Sequence, residues 1–224
     1  GFIDLQIAGG GGYLFSSDPT PEAVAAITRA IVRTGTTGFL IAIPTNSMEV
    51  YRQVIKVVAE NPHPALLGLH IEGPFINPLR RGAHIMEYIR PPVKEDVEAI
   101  VSQSAGVIGM MTLAPELCSP EVIELLNNHG IVVAAGHSNA TFNEAVEGFR
   151  NGIRTTTHLY NAMSPLHHRN PGLAAAVFQT PGVFASIIAD GIHVDYNMVS
   201  IAKKLLGNRL FLISDAVEEN RKEA

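Results

Sequence analysis

The chain has 224 residues, 46% of them hydrophobic and 17% charged, with a formal net charge of −5. This composition supplies a sizeable packed core and excludes a disordered chain. No apolar run reaches the ~18 residues of a membrane helix, and no Lys/Arg cluster exceeds a pair, so neither a membrane nor nucleic acid is an expected partner.

In chain order, short apolar runs occupy residues 2–7, 38–43, 66–71, 107–113, 131–135, 153–157, 184–189 and 210–213. They are near-continuous rather than alternating, the pattern of parallel strands covered on both faces. Helical signals lie between them. Thr20-Pro21-Glu22 offers an N-cap, a proline at the first helical position and an acid in the first turn, and Gly35 closes that helix. Ser47 opens the next, which stops before Asn61-Pro62. Ser119-Pro120-Glu121 repeats the signature and ends near Gly130; two more helices run from Thr141 to Asn151-Gly152 and from Tyr196 to Gly207.

Strands alternating with helices predict an α/β fold, a (β/α)8 TIM-type barrel forming one domain over residues 1–224. A doubly wound open sheet is the rival, but it needs no eighth strand and gathers its site at one switch point. The polar candidates here follow most of the strands, which favours the barrel. The chain starts without Met inside a strand pattern, and the tail after Asp215 is short for a loop and a covering helix. The expectation is therefore a fragment of a longer chain, C-terminally truncated, with apolar surface exposed on strands one and eight. Two connections, 73–92 and 159–171, are long for βα loops, and such loops in compact domains usually carry function.

A single cysteine, Cys118, excludes an internal disulfide and a Cys-based metal site and suits a reducing, cytoplasmic location. Nine histidines leave imidazole and carboxylate as the working chemistry. Barrel enzymes keep their sites at the C-terminal ends of the strands. There strand one offers Asp4 and Gln6, strand three His70 and Glu72, and strand five His137. Strand six offers His158, strand seven Asp190 and His193, and strand eight Asp215. A lone His at a strand end is usually a hydrogen-bonded structural residue. Three ligand-type groups at three strand ends (Glu72, His137 and His158) favour a shared cation, with a position left open for water as in catalytic sites. Such a cation brings the pKa of its water near 7, and Asp215 across the mouth suits the base that takes the proton and later returns it.

The remaining candidates read more plainly. His70 reads as a core or supporting residue, Asp4 as a structural strand-end residue, and His63 and His129 as surface or capping residues. Asp190 before Gly191 is either a turn former or a site residue. The glycine run at residues 9–12 has Phe15 where a GxGxxG needs its third glycine, and the following helix starts too late for a dinucleotide site. Gly136-His137-Ser138-Asn139-Ala140 resembles a nucleophile elbow but ends in alanine.

Five strings carry a resemblance: Gly68-Leu-His-Ile-Glu-Gly-Pro-Phe75, Gly136-His-Ser-Asn-Ala-Thr141, Thr157-His-Leu-Tyr-Asn-Ala-Met163, Asp190-Gly-Ile-His-Val-Asp195 and Ser214-Asp-Ala216. Their order and spacing resemble the N-acetylglucosamine-6-phosphate deacetylases, a branch of the metal-dependent amidohydrolases, from residue 1 to about 219. The resemblance implies hydrolysis of the N-acetyl amide to acetate and glucosamine 6-phosphate. It implies one divalent metal, zinc or iron, on Glu72, His137 and His158, with Asp215 as acid/base. Ala83 and His84, in the string Arg81-Gly-Ala-His, match substrate contacts, His84 polarising the acetyl carbonyl. Asn161, Ala162, Arg169 and His193 match contacts to the sugar phosphate, and a planar guanidinium suits a dianionic phosphate. A homodimer is implied, with a partner loop helping to bind phosphate, as is a small β-sandwich flanking the barrel whose halves are missing from this sequence. Where many amidohydrolases place His-x-His on strand one, this chain has Gln6-Ile7-Ala8. Neither end residue is a good transition-metal ligand, so one metal is expected rather than two. Two further readings stay open: another amidohydrolase acting on a cyclic amide or a different N-acyl amino sugar, and a non-catalytic sugar-phosphate-binding module.

Overall fold

In the computed structural model, which describes residues 1–217, eight parallel strands follow one another in sequence order. They are β1 (Phe2–Ile7), β2 (Thr36–Pro44), β3 (Leu66–Glu72), β4 (Ile108–Leu113), β5 (Val132–Ala135), β6 (Thr155–Thr156), β7 (Phe184–Ile187) and β8 (Leu210–Leu212). This is the expected (β/α)8 barrel, nearly closed. Among the described residues the seam between β8 and β1 is bridged at its C-terminal rim, between Ile7 and Ala216. There the Ala8 and Gly9 amides donate to the Ala216 carbonyl at 2.7 and 3.3 Å. The expected domain runs to residue 224; residues 218–224 lie outside the described residues.

The helices are α1 (Pro21–Val32), α2 (Met48–Glu60), α3 (Lys94–Val101), α4 (Pro120–Asn128), α5 (Phe142–Arg150), α6 (Gly172–Gln179) and α7 (Tyr196–Leu206). Three caps read from the sequence are made: Thr20 accepts from the Ala23 amide, Ser47 from the Val50 amide, and Thr141 forms a capping box with Glu144; Ser119, at the N-cap of α4, makes no side-chain cap bond. Helices α3 and α6 carry no side-chain cap bond. They begin where the long connections end, after Pro92 and Pro171.

Strand side chains alternate between two environments. Outward positions such as Ile41, Ile43, Leu69, Ile71, Met111 and Val133 pack with Val24, Ile27, Val54, Val97 and Ile123 of the helices in one large core. Inward, Leu40, Met110 and Ala134 form a small separate layer with Leu5 against it. Burial on both faces is what produced the continuous apolar runs. Farther toward the C-terminal rim the inward positions turn polar, with His70, Glu72 and Thr112 all buried.

Among the described residues no β-sandwich accompanies the barrel. The other strands are Gly9–Gly10 and Tyr13–Leu14, an antiparallel hairpin. Its turn residues, Gly11 (φ 62°) and Gly12 (φ 89°), sit where only glycine is unstrained. Along the β1–β8 seam an apolar groove of about 510 Å³ is lined by Phe2, Ile3, Ile31, Leu212 and Val217. Phe2 is 72% and Leu212 62% exposed, the exposure expected on strands one and eight.

Candidate metal centre

Three strand ends deliver three donor atoms to one point. Glu72 closes β3, and His137 and His158 follow β5 and β6. His158 Nε2 lies 3.0 Å from Glu72 Oε1 and 3.0 Å from His137 Nε2, and His137 Nε2 lies 3.2 Å from Glu72 Oε1. All three residues are buried. His137 and His158 adopt positive φ, 47° and 35°, which turns each ring inward from its strand and costs roughly 1–3 kcal/mol apiece. The long connection after β3 folds over the site: the Asn77 amide donates to the His137 carbonyl, and Arg80 Nε donates to Asn139 Oδ1.

The hydrogen-bond partners decide which groups suit a cation. His137 Nδ1 faces the Arg80 carbonyl at 2.9 Å. A carbonyl only accepts, so Nδ1 bears the proton and the Nε2 lone pair points at the Glu72 carboxylate. Two acceptors 3.2 Å apart in a buried site repel unless a proton or a cation lies between them. The edges of a tetrahedron about zinc with 2.0–2.1 Å bonds are about 3.3 Å, close to the spacing of this O, N, N set. The donor set therefore fits a divalent metal.

Glu72, His84 and His137 also bring one donor each within 4.8 Å of one another, so His84 competes for the role of ligand. Its surroundings argue otherwise. The Thr45 backbone N–H donates to His84 Nδ1 at 3.1 Å, and burial lowers the His84 pKa to about 4. The ring is thus neutral with its proton on Nε2, which lies 3.8 Å from Glu72 Oε2. His84 presents a hydrogen-bond donor to the site rather than a lone pair.

Burial works against charge throughout the cluster. It raises the Glu72 pKa, but with protons rather than a cation between the three groups, hydrogen bonds from His137 and His158 and their charges outweigh it and bring the carboxyl well below its usual pKa. Burial likewise disfavours charge on His158, yet its contact with Glu72 leaves the pKa raised. Asp215 (φ 50°) stands beside this group. Its pKa is raised by burial first and by the Glu72 charge second, with His158 and the Gln6 hydrogen bond opposing. Gln6 is 1% exposed and links the two carboxylates, its Nε2 lying 3.0 Å from Glu72 Oε1 and 3.0 Å from Asp215 Oδ1.

The other expected residues divide. Asn161 and Ala162 follow His158 closely on the rim; Asn161 Nδ2 is a buried donor without a partner among the described residues, and the Ala162 carbonyl accepts the Ser138 amide at 3.1 Å. Ala83 is exposed, immediately before buried His84. His193 is exposed, and its Nδ1 meets Asp190 Oδ2 at 2.7 Å, a contact that draws the Asp190 pKa down to about 2. Asp190 is thus both turn former and partner to His193. Arg169 is exposed and lines an open groove of about 680 Å³ with Asn139, Phe142, Ser164 and His167; none of Glu72, His137, His158 or Asp215 lines it.

Sequence reasoning missed three contributors. Gln6 was weighed only as a metal ligand. Thr45 sets the His84 tautomer from the end of β2. Glu116 accepts from Asn77 Nδ2, Ser138 Oγ and the Asn139 amide, tying together the loops on either side of His137. An acid directly after the β4 strand signal, in Ala114-Pro115-Glu116, was the available clue to the last.

The sequence matches the amidohydrolase family over residues 1–224. It is 39% identical over 231 residues to N-acetylglucosamine-6-phosphate deacetylase of Bos taurus, covering 97% of this chain and 56% of that protein. It is 35% identical over 221 residues to N-acetylgalactosamine-6-phosphate deacetylase of Shewanella sp. strain ANA-3, again covering 97% and 56%. The fold superposes on the crystal structure of N-acetylglucosamine-6-phosphate deacetylase from Pasteurella multocida with a TM-score of 0.93 at 35% identity, covering 97% of this chain and 58% of that one. The chain thus spans a little over half the length of these relatives.

Proposed function

The chain belongs to the amidohydrolase family, and we propose that it hydrolyses the N-acetyl amide of N-acetylglucosamine 6-phosphate to acetate and glucosamine 6-phosphate. The observation that carries this reading is the joining of two kinds of group. A compact O, N, N donor set is bound through one carboxamide, Gln6, to a carboxylate of raised pKa. In this reading Glu72, His137 and His158 hold one divalent ion, zinc or iron. Such an ion supplies Lewis acidity toward the acetyl oxygen and acidifies water.

The chain's own residues carry the rest. Ionised Asp215 takes a proton from the attacking water as its oxygen bonds to the acetyl carbon. It then gives that proton to the sugar nitrogen as the C–N bond breaks, leaving the amine and acetic acid, which loses its remaining proton to give acetate. Neutral His84 donates Nε2–H to the oxygen on which negative charge develops, with no reorganisation needed at that moment. Asn161 Nδ2 and the Ala162 N–H offer donors to the sugar, with Ala83 beside His84 at its edge. His193 offers Nε2 to the phosphate, its Nδ1 being held by Asp190.

Arg169 lines a groove apart from the cluster, which supports a homodimer whose Arg169 loop reaches the neighbouring copy's substrate phosphate. We take residues 1–224 as one hydrolase domain and place it in the cytoplasm, where a phosphorylated sugar is retained by its charge. Acetate release from N-acetylglucosamine 6-phosphate, abolished in Asp215→Asn while bound metal is kept, is the test; turnover surviving in that variant removes Asp215 from the role. The Shewanella relative favours a second reading, the 4-epimeric galactosamine substrate, and the ratio of kcat/KM on the two sugars separates them.

A further inference from the structure

The Leu5–Gln6 peptide stands outside the barrel's ladder. Between the pairs Asp4–Phe39 and Ile7–Ile41, β1 takes one more step than β2, which is a β-bulge. A bulge frees a carbonyl and an N–H, and inside a barrel both need partners. Side chains supply them. The Gln6 N–H donates to Asp4 Oδ1 at 3.2 Å, and the Leu5 carbonyl faces His70 Nδ1 at 3.1 Å. A carbonyl only accepts, so Nδ1 carries the His70 proton and Nε2 is an acceptor. Nε2 takes the Thr112 hydroxyl at 2.7 Å, and Thr112 takes that of Thr157 at 2.6 Å. His70 is 1% exposed, and no step of the proposed hydrolysis uses it.

We propose that His70 is a positioning residue: by donating Nδ1–H to the Leu5 carbonyl it fixes the bulged peptide and so aims the Gln6 carboxamide at Glu72 and Asp215. Strand β1 has a full strand partner on one side only, since its other edge is the barely joined seam. The bulge therefore has no ladder on that side to hold it, and its orientation is set by His70 and Asp4. Asp4 completes the clamp, its Oδ2 accepting the Ser214 amide next to Asp215 at 3.0 Å.

The kinetic arm of the test rests on the proposed role of Asp215; the spectroscopic arm does not. Asparagine keeps a donor near the Nδ1 position, whereas glutamine reaches the Nε2 position and abandons Leu5. His70→Gln is expected to lower kcat about tenfold or more with KM within about twofold, as misplacement of an aligned group does. His70→Asn stays within about threefold of the unsubstituted chain, and in a Gln6→Leu background His70→Gln adds nothing further. A role in packing alone gives the opposite order, because asparagine leaves the larger void. In the spectroscopic arm, the Gln6 side-chain amide protons, assigned by their loss in Gln6→Leu, are protected from exchange in the unsubstituted chain and in His70→Asn but not in His70→Gln. The ring nitrogen shifts of unsubstituted His70 are expected to show Nδ1 protonated and Nε2 bare. The reversed order, equal losses in both variants, unchanged Gln6 protection or a proton on Nε2 each overturns the proposal. Absence of turnover in the unsubstituted chain overturns the deacetylase reading instead, and the spectroscopic arm still decides the role of His70.

Discussion

The backbone N–H and the hydroxyl of Thr45 lie 3.1 and 2.7 Å from Nδ1 of His84; the N–H can only donate, and with the hydroxyl donating beside it Nδ1 is an acceptor and the His84 proton sits on the other ring nitrogen. Backbone contacts thus separate two chemically similar neighbours: Thr45 makes His84 a donor to the site, and the Arg80 carbonyl makes His137 an acceptor. His84→Ala is expected to leave metal content at one ion per chain while lowering kcat about 10²–10³-fold, the range for removing an oxyanion donor. Loss of the metal in that variant, measured by elemental analysis, makes His84 a ligand instead.

Asp215 gives a pH dependence with a definite sign. Its pKa is raised by burial and then by Glu72, and in the proposed role the ionised form is the base, so kcat/KM is expected to fall as pH drops through the raised value. Gln6 hydrogen-bonds the ionised form and holds the pKa down, so Gln6→Leu moves the acid limb to higher pH, with or without a cation adding its own field. A limb that stays in place in Gln6→Leu belongs to another group.

The same shift affects stability. A carboxyl whose folded pKa exceeds its unfolded one contributes stability that is present below the unfolded pKa and lost as pH rises through the folded one. At neutral pH the Asp215 charge therefore weakens the metal-free fold. Thermal melts of metal-free protein are expected to show a higher Tm for Asp215→Asn, alongside the loss of ~10²–10⁴-fold in turnover typical of an acid/base group. An unchanged or lower Tm contradicts the direction of the shift.

Much of this was legible from the sequence, and the gaps have physical causes. The strands showed because both faces of each are buried, so no polar alternation interrupted the apolar runs. Helices with Thr20, Ser47 and Thr141 at their N-caps announced themselves. Helix α3 has Val93 at its cap and α6 has Pro171 followed by a positive-φ glycine, Gly172, so neither shows the usual capping signature. The hairpin at residues 9–14 lies in the glycine run that resembles a dinucleotide loop, although two glycines between short strands are themselves a turn signal. Glu72, His137, His158 and Asp215 stood out as ligand-type groups at strand ends. The bulge at Leu5–Gln6, its His70 clamp and the Thr45–His84 contact depend on pairings across 39 to 65 residues, which no local pattern encodes.

The placement of Arg169 gives a prediction about assembly. Arg169→Ala is expected to lower kcat/KM for the phosphorylated sugar and leave that for its unphosphorylated analogue nearly unchanged. If the residue serves the neighbouring copy, mixing equal amounts of Arg169→Ala and Asp215→Asn chains raises turnover of the phosphorylated sugar to about a quarter of full activity, one competent site in each mixed dimer. No recovery after demonstrated subunit exchange means that Arg169 serves its own chain.

The most direct test of the central claim measures metal and acetate together. Metal per chain is determined for the unsubstituted protein, Glu72→Ala and His158→Ala, and acetate release from N-acetylglucosamine 6-phosphate is followed with and without a chelator. The account predicts about one zinc or iron ion per chain, its loss in both variants, and acetate release that stops on chelation and returns with added metal. Two ions per chain, metal retained in Glu72→Ala, or acetate release that survives chelation would contradict it.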